Sequence, residues 1–169
     1  MAATVEFSET NGDVGAPSTH DAIANMNYGS NDSYEVVPAT YPITAGTNSF
    51  TKYWRLHVTN MGGSNTINNL QFWKSAGAYV ASEGIQCSLR TAGYSAPAYA
   101  TPTQVTYTDQ VMPVANPGAA NLGIGGSTGG SITTAPSYSD YVKSQLQTGA
   151  GSPPGNVNQK TLSLQYDES

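Results

Sequence analysis

Along residues 50–60 apolar and polar side chains alternate. Phe50, Trp54, Leu56 and Val58 share one face, interrupted near the start by Lys52, and Tyr53, Arg55, His57 and Thr59 share the other. Period-two alternation of this length is the signature of a half-buried β-strand. The segment 61–65, with Gly62 and Gly63, reads as a hairpin loop leading into a partner strand over 66–74. There Leu70 and Phe72 fall on one side and Ile67 and Trp73 on the other, which fits a strand covered on both faces. The same reasoning predicts strands over 4–8 (Val5 and Phe7 inward), 84–90 (Ile85, Cys87 and Leu89 inward) and 104–108. It also predicts strands over 138–147, through Tyr138, Val142 and Leu146, and over 161–166, through Leu162, Leu164 and Tyr166. Residues 22–28 carry only a weak period that fits either a strand or a helical turn. No helix of convincing length is apparent.

Short strands separated by Gly/Pro/Asn turns predict an all-β, antiparallel β-sandwich or jelly-roll-like fold with long Gly/Pro-rich loops. Its 169 residues suit a single domain. Two segments stand outside the pattern. Residues 1–17 read as an extended N-terminal arm. Residues 113–136 are rich in Gly and nearly devoid of large apolar side chains, a length at which loops are commonly functional or mobile.

Composition narrows the partners. Only 10% of the residues are charged, and the net charge is −5. The isolated Lys52 and Arg55 are the longest basic feature, so no surface for phosphate backbones is expected and nucleic acid is excluded as a direct partner. No stretch approaches membrane-spanning length, and no secretory signal precedes residue 8. Cys87, the only cysteine, alternates with Ile85 and Leu89 and reads as a small buried hydrophobe rather than a reactive thiol.

Chemical motifs are sparse. Gly125-Gly126-Ser127-Thr128-Gly129 matches Gly-x-Ser-x-Gly, but a nucleophile elbow needs a strand before it and a helix after it, and neither is evident. His57 has no carboxylate near it in sequence, which favours a surface or interface role over proton transfer. His20-Asp21 lacks the companions a zinc site needs, and Glu9, Asn11 and Asp13 lack the later residues of a calcium loop. No cofactor or metal is expected, and the chain reads as a non-enzyme. What remains is aromatic: eleven tyrosines and two tryptophans. Such side chains pack cores, but they also favour subunit interfaces and stack on sugars. The candidate interface residues are Tyr53, Arg55, His57, Trp73, Tyr79, Tyr94, Tyr99, Leu122 and Ile124.

The run Tyr41-Pro42-Ile43-Thr44-Ala45-Gly46-Thr47-Asn48-Ser49-Phe50-Thr51-Lys52-Tyr53-Trp54-Arg55-Leu56, the run Ile67-Asn68-Asn69-Leu70-Gln71-Phe72-Trp73-Lys74-Ser75 and the ending Leu162-Ser163-Leu164-Gln165-Tyr166-Asp167-Glu168-Ser169 resemble virion proteins of tailed bacteriophages in texture and order. The resemblance covers roughly residues 25–80 and 137–169 and includes no diagnostic motif. It implies a non-enzymatic structural part of a virus particle, such as a capsid decoration or accessory protein. The expected partners are the major capsid protein or other virion subunits, in a homo-oligomer or multi-copy assembly. Its expected location is the virion, after synthesis in a host cytoplasm. Residues 1–17 and 113–136 would then serve as arms that order on neighbouring subunits. The alternative is a carbohydrate- or receptor-binding β-sandwich module that stacks Trp73 and loop tyrosines on a glycan.

Overall fold

Trp54 and Phe72 are both fully buried and meet edge to face, with ring centroids 5.5 Å apart and planes at 80°. They belong to different sheets, and their contact marks the core between them. The computed structural model describes residues 1–95, 107–153 and 159–169. Among these the strands are β1 (Thr4–Asn11), β2 (Ser18–His20), β3 (Lys52–Asn60), β4 (Ile67–Ala76), β5 (Glu83–Thr91), β6 (Gln110–Val111), β7 (Ser137–Tyr138), β8 (Tyr141–Thr148) and β9 (Thr161–Glu168). Every pairing is antiparallel. The large sheet runs β2-β1-β3-β8-β5-β6, with β7 also on β3, and the small sheet pairs β4 with β9. The fold is an all-β sandwich.

The inner faces follow the alternation. Trp54, Leu56 and Val58 from β3, Ile85, Cys87 and Leu89 from β5, and Val142 and Leu146 from β8 are all buried in one cluster. The Trp54 indole N–H donates to Ser144 Oγ, which also bonds the Tyr28 hydroxyl, so the polar edge of the buried ring is satisfied. Val5, Phe7, Leu162, Leu164 and Tyr166 pack against this cluster from its margins.

Four features differ from the sequence expectation. First, residues 61–65 do not close a hairpin. Both edges of β3 are occupied, by β1 on one side and by β7 and β8 on the other, so the chain crosses to the opposite sheet and β4 finds β9. Second, Ile67 faces the core together with Leu70 and Phe72, although its parity is opposite. A register shift between Asn68 and Gln71, with Asn69 at φ 50°, inserts the odd residue that turns the strand over. Third, Tyr138 points to the outer face although Val142 and Leu146 point inward. The strand breaks at Ser139, whose Oγ accepts the Leu56 N–H at 2.9 Å in place of a ladder carbonyl. Fourth, residues 22–28 form neither strand nor helix, with Ile23 buried. The strand expected over 104–108 lies outside the described residues except for Tyr107, which is buried, and Thr108.

The two expected arms are built into the domain. Residues 4–11 form β1, between β2 and β3. Residues 113–136 seal the exposed edge of β4. Lys74 N–H donates to Pro113 O, Ile67 bridges Ile132, and the Asn121 side chain clamps Phe72 by accepting its N–H at 2.7 Å and donating to its carbonyl at 2.8 Å. One side-chain amide thus does the work of a strand partner, which removes an unpaired edge. The opposite side of the segment is tied to the large sheet through Gly123 N–H to Leu89 O and Asp140 N–H to Gly123 O. The buried Asp140 carboxylate accepts the Gly126 N–H at 2.8 Å. Leu122 and Ile132 are buried in the core.

Candidate functional site

The polar face of the alternation in β1 and β3 becomes the outer face of the large sheet. Tyr53, Arg55 and His57 project from β3, with Glu6, Ser8 and Thr10 beside them on β1, as the register Glu6↔His57, Ser8↔Arg55 and Thr10↔Tyr53 dictates. Tyr138, opposite His57 in the ladder, stacks on the imidazole at 4.2 Å and 14°. The Arg55 guanidinium carbon lies 3.7 Å from the Tyr138 ring centroid and 4.6 Å from that of Tyr141. Tyr141 meets Tyr53 edge to face at 5.8 Å, and Tyr53 meets Tyr94 in the same way at 4.9 Å. The result is a continuous row, His57–Tyr138–Arg55–Tyr141–Tyr53–Tyr94. Cation–π contacts of this kind contribute about 0.5–1 kcal/mol each at exposed positions and more when desolvated.

Hydroxyl groups pin the row. Tyr53 bonds Ser95 Oγ at 2.8 Å, Tyr141 bonds Thr10 Oγ1 at 3.2 Å, and Tyr94 donates to Gly12 O. Tyr53, Tyr141 and His57 are buried, whereas Arg55, Tyr138 and Tyr94 are half-buried and form the accessible part. Burial pushes the Tyr138 phenol above its ordinary range and the Asp21 carboxylate adds to this, while Arg55 acts in the opposite sense. Burial likewise raises Tyr53.

At the far end of the row, carboxylates meet the histidine. His57 Nδ1 is 3.0 Å from Glu6 Oε1 and 3.5 Å from Asp21 Oδ1, and Ser8 Oγ donates to the same Asp21 oxygen. His20 takes no part, being stacked on Tyr34 at 4.2 Å.

Four of the sequence-derived residues therefore come together: Tyr53, Arg55, His57 and Tyr94. The others do not join them. Trp73 is half-buried on β4, opposite Ser163. Tyr79 packs against the core, with the Lys74 and Lys160 ammonium groups 4.9 and 5.6 Å from its ring. Leu122 is buried and Ile124 packs beside it, so neither offers a free apolar surface. Tyr99 lies outside the described residues. Sequence reasoning missed Glu6 and Tyr141, weighed Asp21 only beside His20, and set Tyr138 on the same face as Val142 and Leu146. The partners of His57 are distant along the chain, and the only signal for Glu6 was its place on the polar face of a strand.

Ser127 occupies a tight turn closed by Ile124 N–H to Ser127 O, with Gly125 and Gly126 at φ 63° and 81°. That is a hairpin turn, not a strand-to-helix elbow. A shallow depression of about 460 Å³ is lined by Gly46, Asn48, Ser82, Glu83, Gly84, Gln86, Gln147, Thr148 and Gly149 and contains no aromatic ring. Compared with known proteins, the chain matches no family model, no curated protein and no solved structure.

Proposed function

We propose that this chain is a non-enzymatic structural subunit of a virus particle, a capsid decoration or accessory protein. In this reading it binds neighbouring subunits through the outer face of its large sheet. The observation that carries the reading is the tyrosine–arginine row. Tyr and Arg are the side chains most enriched where proteins bind one another, because they bring large contact area and directional polar tips at modest entropic cost. Here Arg55, Tyr138 and Tyr94 stay half-buried on the outer face of the sheet, in a chain with only 10% charged residues. Low charge lessens the desolvation cost of covering such a face. The resemblance to tailed-phage virion proteins points the same way. Docking on a sugar is less well served, since Tyr138 has its ring engaged by both His57 and Arg55.

The working contact surface in this reading is Arg55, Tyr138 and Tyr94, not the arms. The test is sedimentation velocity of the chain alone and co-sedimentation with purified heads of a tailed phage carrying the gene. Self-association or head binding that is lost in Arg55→Ala/Tyr138→Ala, with the thermal transition retained, supports it. A monomer at high concentration that also fails to sediment with the heads overturns it.

A further inference from the structure

We propose that Glu6, Asp21 and His57 form a binding site for a divalent transition-metal ion of the zinc class, at the junction of β1, β2 and β3. The proposal is independent of any role in a virus particle.

Each residue offers one ligand atom, and the three atoms lie within 4.8 Å of one another. Two of the three separations, 3.0 Å from His57 Nδ1 to Glu6 Oε1 and 3.5 Å to Asp21 Oδ1, lie near the edge length of a ligand tetrahedron. With nitrogen and oxygen ligands at about 2.0–2.2 Å, such an edge is roughly 3.3–3.5 Å. One imidazole nitrogen and two carboxylate oxygens suit zinc and its neighbours, whereas calcium and magnesium prefer an all-oxygen shell.

A second observation concerns the histidine itself. Its side chain is nine-tenths buried, and Nε2 has no hydrogen-bond partner among the described residues. Nothing therefore binds the ring through its other nitrogen, and its only polar engagement is Nδ1, which faces both carboxylates. A single nitrogen carries at most one proton to divide between two carboxylates. A divalent cation bound at Nδ1 takes the place of that nitrogen's proton and neutralises both carboxylates at once. Among the described residues, the ion pairs of Glu6 and Asp21 are with His57 alone. The neighbouring cation, Arg55, is committed to the rings of Tyr138 and Tyr141.

The surroundings hold the ligands in place. Tyr138 fixes the plane of the imidazole by stacking, and the Ser8 hydroxyl orients Asp21. The Asp21 side chain is 42% exposed, which leaves a path for the ion and for a water in the fourth position. A bound ion would tie the residue that follows β2 to both β1 and β3.

The test uses the full chain, stripped with chelator and titrated with Zn²⁺ by calorimetry and with Co²⁺ by its visible ligand-field spectrum. One ion per chain, a tetrahedral Co²⁺ spectrum and a thermal transition raised by Zn²⁺ are expected. Glu6→Gln and His57→Gln should each weaken binding by roughly tenfold or more, and His20→Gln should leave it unchanged. Glu6→Gln keeps the shape of the side chain, and the metal-free melting curve of each variant reports its folding separately. Absence of binding to the wild-type chain overturns the proposal. So does binding that survives both Glu6→Gln and His57→Gln, or that disappears in a folded His20→Gln.

Discussion

Lys52 interrupts the apolar face of β3, and its replacement by methionine is expected to destabilise the fold severely. Its ammonium group is 2.6 Å from Glu9 Oε1, and the two side chains are 1% and 0% exposed. Glu9 also accepts from Asn11 Nδ2 at 2.9 Å, and Lys52 donates to Ser33 O at 2.8 Å. Asn11 continues the network to Asp32, which caps the Gly12 N–H. Lys52→Met preserves the volume of the side chain but leaves Glu9 charged and out of water with one amide donor. Removing one member of a buried pair costs about 3–5 kcal/mol, because the surviving charge cannot be resolvated. For a domain of this size each kcal/mol is worth about 2–4 °C, so Tm should fall by roughly 6–20 °C. Replacing both partners, Lys52→Met with Glu9→Leu, removes the stranded charge and should recover most of the loss. A double-mutant cycle followed by circular dichroism should then give a coupling of at least about 2 kcal/mol. The Lys52→Met deficit should also persist in high salt, since buried charges are poorly screened. A fall of less than about 3 °C, or single losses that simply add in the double variant, would refute the reasoning.

Burial raises the Cys87 thiol from 9.0 to about 12. Above pH 9 the native state therefore holds a proton that the unfolded chain gives up, and stability falls as pH rises from about 9 towards 12 by roughly 1.4 kcal/mol per unit. Tyr28 and Tyr107, also raised by burial, add in the same sense above pH 10. Urea midpoints measured from pH 8 to 11 should decline, with a shallower slope in Cys87→Ala; a flat profile would contradict this. The same thiol should stay unmodified by a disulfide reagent at pH 8 in the native state and react at the rate of unfolding. A Cβ at Gly123 would lie 2.1 Å from the Asp140 carboxylate, which is buried and cannot retreat, so Gly123→Ala should cost about 1–3 kcal/mol by chemical denaturation. Asn121→Ala leaves the Phe72 N–H and carbonyl without partners; faster amide exchange at Phe72, with a loss of about 1–3 kcal/mol, is the expected readout.

The strands that alternate cleanly were legible because a single rule, one face in and one face out, governs β3, β5 and β9. Legibility failed wherever the backbone breaks that rule. The shift between Asn68 and Gln71 reverses Ile67, and the break at Ser139 reverses Tyr138. Pairing was illegible for a different reason. Nothing local tells β3 that its neighbours will be β1 and β8, so a glycine-flanked loop looked like a hairpin. The Gly-rich segment looked like an arm because its order comes from the Asn121 amide and the Asp140 carboxylate, each bonded to a distant backbone. The same blindness hid the companions of His57. Tyr53 and Arg55 were legible as a polar stripe, while Glu6 joined that stripe only through the register of two strands fifty residues apart.

The small sheet closes only when residues 67–76 meet residues 161–168, and the Ala3 N–H donates to the Glu168 carboxylate close by. A ribosome-bound chain would thus carry β4 with its β9 edge unpaired until residues 161–168 emerged. Such a topology makes folding slow and dependent on residues 161–168, and a stop codon placed before residue 161 should leave a sticky, protease-sensitive product rather than a smaller working domain.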